Sequence, residues 1–303
     1  MSTVYLGTSA FAAAVLERLA GAAGHRPALV ITRPDRPAGR GRRVTSPPVA
    51  ETALRLGLAL EQPETVNDPS VEAMIEAAAP GARPTVIVCS FGALIKEPLL
   101  SGCEILNVHP SLLPRWRGAA PLERAIMAGD EQTGVSIMRL TAGLDSGPVC
   151  LQGAEPITAL DDYGSLSARL QELGGDLLVR ALDESPPFHE QPEEGITYAE
   201  KIAAEDRLLD PSRPAGELER RVRALHPHIG ARLRLTGDEA LGVRRARIAE
   251  GPPPPPGELA DVGGRLLLGC DPGALELLEI QPPGGRAMDA GAYLRGHGVP
   301  VRR

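Results

Sequence analysis

Cysteine, lysine and aromatic residues are all scarce in this chain of 303 residues. The four cysteines lie far apart, and no two have the Cys-x-x-Cys spacing that is typical of zinc and redox sites. A structural metal site is therefore not expected, and the cysteines are interpreted as small buried hydrophobic residues or reduced thiols. Aromatic residues make up 3% of the chain, and Lys96 and Lys201 are its only lysines, a skew to which we attach no function.

No apolar run reaches the roughly 18 residues that a membrane-spanning helix requires. The first residues, MSTVYLGTSAF, lack a basic stretch followed by a long apolar core, so a signal peptide is not expected. Hydrophobic residues make up 43% of the chain and charged residues 23%, which favours a globular protein with a sizeable core. The sequence therefore predicts a cytoplasmic protein that does not associate with membranes.

Charge is unevenly distributed along the chain. The net charge is -7, yet residues 207–303 contain fifteen arginines and twelve acidic residues, a balance of +3. A mildly basic C-terminal part joined to an acidic N-terminal part is compatible with local contact to phosphates. It is equally compatible with ordinary solvation, so charge alone does not identify a partner.

Strand-like and helix-like segments alternate up to about residue 184. Strands are expected at 3–6, 28–32, 58–61, 86–89, 105–109, 135–140 and 149–157. Helices are expected at 11–19, 49–56, 71–79, 119–127 and 163–182. This alternation with apolar strands predicts an α/β domain with a Rossmann-like, doubly wound parallel sheet. Ligands of such sheets bind beyond the carboxyl ends of the strands.

The pattern changes near residue 185, where ESPPFHEQPEEG carries prolines, glycine and acidic residues without periodicity. Beyond it, a helix is expected at 215–225, with short strands at 231–235, 241–248, 264–268 and 275–280. Several short strands with turn signals favour a small barrel or sandwich. We predict an α/β domain over residues 1–184, a linker over 185–206 and a smaller β-domain over 207–303.

Asn107 and His109 stand two residues apart at the end of the strand-like run EILNVH. Residues at this spacing project from the same face of a strand. Asp145 lies in the glycine-rich stretch TAGLDSGPV, and a carboxylate within reach of an imidazole fixes its tautomer and stabilises its charged form. An asparagine beside such a pair can donate to a developing oxyanion. The three residues could form an acyl-transfer site, or they could be a core Asn–His pair and a turn aspartate.

The segment TRPDRPAGRGRR combines five arginines with one aspartate. Two glycines, Gly39 and Gly41, permit close approach of the backbone to a ligand. An arginine-rich loop of this kind suits phosphates or an opened RNA stem, but it could also be a solvated loop.

The stretch NVHPSLLPRWRGAAPLERAIMAGDEQTGVSIMRLTAGLDSGPV resembles the catalytic core of the folate-dependent formyltransferases. Further segments resemble that family in the same order along nearly the whole chain. They are VYLGTSAFAAAVLERL, TRPDRPAGRGRRVTSPPVAETA, VIVCSFGALIKEPLL, GITYAEKIAAEDRLLDPSRPAGELERRVRALHP and LEIQPPGGRAMDAGAYLRG. The arginine-rich and C-terminal segments are the more discriminating ones, and they resemble the members of the family that act on methionyl-tRNA.

The resemblance implies roles for individual residues. Asn107, His109 and Asp145 match the family's three catalytic positions. Residues matching its folate-binding segments are Phe91, Gly92, Leu94, Ser111, Leu112, Leu113 and Pro114. Residues matching its tRNA-binding loop are Arg36, Arg40, Arg42 and Arg43, of which Arg40 matches the most important arginine. The implied fold is a Rossmann-like formyltransferase domain followed by a C-terminal β-barrel that resembles an OB-fold.

The implied reaction is formyl transfer from 10-formyltetrahydrofolate to the α-amino group of methionine on the initiator tRNA. The expected partners are that tRNA and folate, the expected assembly is a monomer, and no metal is expected. One alternative is a formyltransferase for a small amine, either glycinamide ribonucleotide or an amino-sugar nucleotide. The other is a non-catalytic tRNA-binding protein, which the presence of all three chemical residues disfavours.

Overall fold

The computed structural model describes residues 2–38, 43–79, 83–237 and 239–301. The chain forms two compact units. The first comprises Met1–Gly118, Thr133–Pro156 and Ser167–Tyr198. The second comprises Ala119–Gln132, Ile157–Leu166 and Ala199–Arg303.

Strands and helices follow one another along the described chain. The strands are β1 Thr3–Gly7, β2 Leu29–Ile31, β3 Arg36–Ala38, β4 Arg43–Thr45, β5 Leu60–Glu61, β6 Thr85–Cys89, β7 Glu104–His109, β8 Arg117–Gly118, β9 Gln132–Arg139, β10 Val149–Pro156, β11 Tyr198–Ala199, β12 Ala231–Arg234, β13 Ala240–Ile248, β14 Leu259–Val262, β15 Arg265–Gly269, β16 Ala274–Gln281 and β17 Met288–Asp289. The helices are α1 Ala10–Gly21, α2 Pro48–Arg55, α3 Pro69–Ala78, α4 Leu99–Gly102, α5 Pro121–Ala128, α6 Tyr163–Glu184, α7 Ala215–Leu225 and α8 Ala290–His297.

A seven-stranded sheet with the order β10-β9-β7-β6-β1-β2-β5 forms the centre of the first unit. The pairs from β7 through β6, β1 and β2 to β5 are all parallel, which confirms the predicted parallel-strand sheet. Strand β9 departs from the prediction because it runs antiparallel to β7. A parallel neighbour would need a crossover element on the sheet, usually a helix, and α5, the helix between these strands, belongs to the second unit.

The core of the first unit lies on the faces of this sheet. All five residues of β1 and of β6 are buried, as expected of strands covered on both faces. Helix α1 begins after Ser9, whose hydroxyl accepts a hydrogen bond from the backbone N–H of Ala12 at 3.2 Å. On α6, Gly174 lets the helix approach β7, because a Cβ there would lie 3.2 Å from a methyl group of Val108. These contacts fix β7, the strand that carries Asn107 and His109.

The second unit contains a mainly antiparallel sheet with the order β12-β13-β16-β15-β14, and β17 also pairs with β16. Its apolar side chains pack with α7 and α8 around one core, which includes Leu218, Val222, Leu233, Leu268 and Leu277. The register of β13 shifts between Val243 and Ala246, so the strand is bulged there. Within the described residues the ladder ends at β12 and β14, and the predicted β-rich C-terminal part is confirmed.

Several elements are not indicated by the sequence pattern. The flanks of the arginine-rich segment form an antiparallel pair, β3 with β4, where the sequence predicted a loop. Strand β14 follows a run of five prolines and has only four residues, and α8 has only eight. Both elements are too short to show a clear apolar periodicity. Among the described residues, no helix is long and apolar enough to cross a membrane.

Candidate active site

Strand β7 presents two polar side chains from a buried position. Asn107 and His109 are 8% and 4% exposed, and His109 is the last residue of the strand. Asn107 lies opposite Val88 on the parallel neighbour β6 and opposite Met138 on the antiparallel neighbour β9. Pairing on both sides fixes the register, and the two-residue period directs both side chains to one face. The predicted juxtaposition of Asn107 and His109 is present.

Asp145 reaches these two side chains from the 140–148 connection between β9 and β10. One carboxylate oxygen, Oδ1, lies 3.5 Å from Nδ2 of Asn107. The other, Oδ2, lies 3.7 Å from Nδ1 of His109 and accepts a hydrogen bond from the backbone N–H of Gly118 at 2.9 Å. The backbone of Asp145 has φ +43°, in the left-handed region, which aspartate tolerates better than most side chains. The sequence-predicted trio therefore meets in space.

The second ring nitrogen of His109 is also engaged. Nε2 lies 2.9 Å from the backbone carbonyl oxygen of Trp116. Because a carbonyl oxygen can only accept, Nε2 carries a proton and donates it there. Nδ1 then faces Oδ2 of Asp145 at 3.7 Å. The amide N–H₂ of Asn107 and the Nδ1–H of a charged His109 are donors that could stabilise a developing oxyanion.

The segment Ser111–Pro114 follows β7 and is held by hydrogen bonds from two side chains, one on β9 and one on β10. The hydroxyl of Ser136 donates to the carbonyl of Ser111 at 2.6 Å and accepts from the N–H of Leu113 at 3.1 Å. The amide of Gln152 donates to the carbonyl of Leu113 at 2.9 Å and to the Ser136 hydroxyl at 2.8 Å. Ser111 and Leu113 are buried, whereas Leu112 and Pro114 are half-buried. The loop is thus held in one conformation, with part of its apolar surface accessible.

A second predicted segment follows β6. Phe91 is buried, and its carbonyl accepts a hydrogen bond from the hydroxyl of Thr8 at 2.8 Å. Gly92 has φ +70°, a conformation that side chains rarely adopt. The side chain of Leu94 is 69% exposed, and its carbonyl accepts from the amide of Asn67 at 2.8 Å. Since β6 and β7 are neighbours, this segment begins beside the strand end that carries Asn107.

The predicted tRNA-binding arginines are only partly within the described residues. Arg36 begins β3, and its guanidinium pairs with Glu64 at 2.5 Å. Arg43 begins β4. Arg40 and Arg42 lie outside the described residues. At the base of this hairpin Arg33 donates to the carbonyl of Gly92 at 2.7 Å, which links the arginine-rich segment to the predicted folate-binding segment.

Four residues around the site were missed by sequence reasoning: Ser136, Gln152, Gln191 and Thr197. Ser136 and Gln152 support the 111–114 loop, while the other two contact the segments that hold His109 and Asp145. Ser136 is a polar residue among the apolar residues 135–138, and this is a signal that could have been used. Gln191 and Thr197 carry no local signal, because the segment in which they lie has no periodicity.

No thiolate or metal chemistry is indicated at the site. Cys89 ends β6, but burial raises the pKa of its thiol to about 12, so it is not a nucleophile at neutral pH. Among the residues that the structure describes, no group of three or more histidine, cysteine or acidic side chains is placed to hold a metal ion. The arrangement is suited to direct acyl transfer between two bound substrates.

Comparison with known proteins identifies the family. The profile of the formyl transferase family matches residues 1–182, and the profile of the formyl transferase C-terminal domain matches residues 201–298. A relative from Halorhodospira halophila, described as methionyl-tRNA formyltransferase, is 45% identical and covers 99% of this chain and 98% of its own. Further relatives of the same description are 41 to 44% identical over 99% of this chain.

Solved structures share the fold at much lower identity. An N-formyltransferase from Helicobacter canadensis, in complex with folinic acid and dTDP-3-aminofucose, is 14% identical with a TM-score of 0.66 over 91% of this chain and 99% of its own. A methionyl-tRNA formyltransferase from Clostridium thermocellum is also 14% identical, with a TM-score of 0.61 over 83% of this chain and 95% of its own. From both domain profiles and the full-length relatives, the chain belongs to the formyl transferase family, in the group of the methionyl-tRNA formyltransferases.

Proposed function

We propose that this protein transfers the formyl group of 10-formyltetrahydrofolate to the α-amino group of methionine on the initiator tRNA. The observation that carries the proposal is the meeting of Asn107, His109 and Asp145 at the end of β7, in a chain whose full-length relatives have this name. In the proposed chemistry, the amine nitrogen attacks the formyl carbon and forms the new C–N bond. The formyl oxygen takes up negative charge as the carbon becomes tetrahedral.

Each side chain of the trio has a distinct part in this step. Asn107 donates its amide N–H to the oxyanion, and charged His109 donates from Nδ1. Asp145 orients His109 and accepts the amine proton, directly or through water. The tetrahedral centre then collapses with cleavage of the bond to N10 of the folate. The proton taken from the amine passes from Asp145 to N10, directly or through water, and tetrahydrofolate leaves.

The folate co-substrate is proposed to bind over the two anchored segments beside the trio. Phe91, Gly92 and Leu94 would line the pterin pocket, and Ser111–Pro114 would form its other wall. The exposed side chain of Leu94 and the half-buried Leu112 and Pro114 offer apolar surface next to backbone N–H and C=O groups. A fused ring with polar edges needs this mixture of surfaces. No metal takes part in the proposed reaction.

The tRNA is proposed to contact the arginine-rich segment through Arg36, Arg40, Arg42 and Arg43, and the basic residues of 207–303 through its phosphates. The antiparallel sheet of the second unit is proposed to be an OB-like barrel, a fold that often binds nucleic acids. We further propose the domain division 1–184, 185–206 and 207–303, a monomeric state and a cytoplasmic location.

Single-turnover formylation with four acceptors tests the function. Purified protein and 10-formyltetrahydrofolate are mixed with methionyl initiator tRNA, methionyl elongator tRNA, glycinamide ribonucleotide or an amino-sugar nucleotide. We expect rapid transfer to the initiator tRNA alone. Arg40→Ala should then slow transfer to tRNA while leaving the affinity for folate unchanged, because this arginine is proposed to touch only the tRNA.

Other outcomes are equally informative. Transfer to a small amine would retain the trio and contradict the proposed role of the arginine-rich segment. Binding of tRNA without binding of folate would favour the non-catalytic alternative. An equal rate for both tRNAs would show that the protein does not select the initiator.

A further inference from the structure

The segment of residues 189–198 contacts the two stretches of chain that engage Asp145 and His109. Its first residue, His189, pairs with Val149 at the start of β10 through two backbone hydrogen bonds of 2.8 and 2.9 Å. The segment then passes the 140–148 connection, which carries Asp145, and the 116–118 stretch, whose backbone contacts both His109 and Asp145. The sequence predicted a linker here.

Gln191 bridges the two stretches with its side-chain amide. The N–H₂ group donates to the backbone carbonyls of Asp145 and Gly147, both at 2.8 Å. The amide oxygen accepts from the guanidinium of Arg117 at 2.7 and 3.0 Å. Arg117 is itself buried, with 8% of its surface exposed. Two donors and one acceptor of a single side chain are thus used at once.

Thr197 fixes the same stretch at its other end. Its hydroxyl accepts a hydrogen bond from the backbone N–H of Trp116 at 2.9 Å, and its carbonyl accepts from the N–H of Arg117 at 2.9 Å. Trp116 has φ +63°, a conformation in which a large side chain is disfavoured unless its surroundings hold it. The carbonyl of Trp116 is the acceptor of Nε2 of His109. Thr197 therefore acts on the imidazole through one intervening residue.

We infer that Gln191 is a positioning residue for formyl transfer, which sets the place of Asp145 relative to His109 and Asn107. The inference rests on the proposed function for its kinetic part only. The distances of Asp145 from its two side-chain partners, 3.5 and 3.7 Å, are longer than a strong hydrogen bond. These two contacts are too long to hold the loop by themselves. The loop is held by the hydrogen bond from the Gly118 N–H to Oδ2 of Asp145 and by hydrogen bonds to its backbone, of which Gln191 supplies two.

The amide of Gln191 donates to two backbone carbonyls and accepts from Arg117, and the substitution Gln191→Glu removes only the donation. A carboxylate still accepts from Arg117 and adds opposite charge to a buried guanidinium, so that contact is retained. It cannot donate, and its oxygens would face the carbonyl oxygens of Asp145 and Gly147. The variant therefore releases the Asp145 loop without a cavity. Gln191→Met, which has a similar shape and no hydrogen bonds, is the second variant, and Gln132→Glu at an exposed glutamine is the matched control.

The test combines amide hydrogen exchange with kinetics. The N–H of Gly118, which donates to Oδ2 of Asp145, should exchange at least several-fold faster in Gln191→Glu than in the wild type or in Gln132→Glu. The kcat for formylation should fall by about 10- to 100-fold with KM for folate changed less than about twofold, because a small misplacement of a reacting group costs rate rather than binding. In an Asp145→Ala background, the same substitution should lower kcat by less than about twofold.

Each result has a definite meaning. Unchanged exchange at Gly118 in both Gln191 variants would overturn the inference. Full additivity of Gln191→Glu with Asp145→Ala would also overturn it, since it would make Gln191 a general structural residue. If the wild type formylated none of the acceptors, the proposed function would fail, and exchange at Gly118 would still decide whether Gln191 positions Asp145.

Discussion

Polar and charged side chains make longer contacts with one another at the candidate site than in the second unit. At the site, Asp145 lies 3.5 Å from Asn107 and 3.7 Å from His109. In the second unit, the guanidinium of Arg124 donates to both carboxylate oxygens of Asp206, at 3.0 and 2.8 Å. One oxygen of that carboxylate also accepts from the backbone N–H of Ala203 at 2.9 Å.

This difference separates groups that stabilise the fold from groups that remain available to a substrate. The Arg124–Asp206 pair is bidentate and satisfied within the protein, so it has little capacity for another partner. Asn107 and His109 contact Asp145 only at long distances. Their side chains can therefore form stronger hydrogen bonds with a bound ligand when charge develops on it. Local geometry thus distinguishes a structural ion pair from a candidate catalytic group.

The largest expected effect is on the rate when the trio is changed. Asn107→Ala, His109→Ala and Asp145→Ala should each lower kcat by on the order of 10²-fold or more, because each removes an oxyanion donor or the group that orients it. The proteins should stay folded, because each substitution removes a few polar contacts at the site and leaves the apolar core of the sheet intact. Single-turnover formylation and thermal unfolding measure the two effects. Near wild-type turnover in any variant would remove that residue from the mechanism.

A smaller effect, on stability, is expected when the Arg124–Asp206 pair is broken. Asp206→Ala should lower the free energy of unfolding by about 1–3 kcal/mol, because it leaves the partly buried guanidinium of Arg124 without its charged acceptor. Folate affinity should not change, since no contact with the candidate site is lost. Urea denaturation measures the first quantity, and Glu205→Ala, an exposed neighbour in the same turn, is the control. Equal stability of the two variants would contradict this view of the pair.

The smallest expected effect is a pH dependence of stability that arises from Glu276, a second carboxylate that is paired with arginine. Burial opposes ionisation of Glu276, but hydrogen bonds from Arg265 and Arg247 outweigh it and lower its pKa. A lowered folded-state pKa contributes stability that is present above the usual pKa of about 4.3 and is lost as the pH falls through the folded value. The free energy of unfolding should therefore fall at acid pH less steeply in Glu276→Gln than in the wild type.

Urea titrations of both proteins between about pH 3 and pH 7 would measure this slope. The wild-type curve contains other carboxylates, so the difference between the two proteins is the relevant quantity. Parallel curves would show that Glu276 ionises alike in the folded and unfolded chain.

Elements in both units follow from local pattern. The helix expected at 215–225 in the second unit has the same bounds in the structure, and the strand expected at 105–109 differs by one residue. Both have clear apolar periodicity, which is a property of neighbouring residues. The antiparallel direction of β9 has no such signature, because strand direction is set by tertiary packing and not by neighbouring residues. The hairpin β3–β4 is likewise hidden, since its short strands contain arginine and proline.

The sequence by itself determined that Asn107 and His109 share one face of a strand, because side-chain alternation is a local consequence of backbone geometry. It also determined the family, since the motifs recur in order along the chain. Only the tertiary structure decided that Asp145 meets Asn107 across 38 residues and that Gln191 reaches Asp145 across 46. Contacts at such separations depend on how the sheet and its loops pack, and no local pattern carries that information.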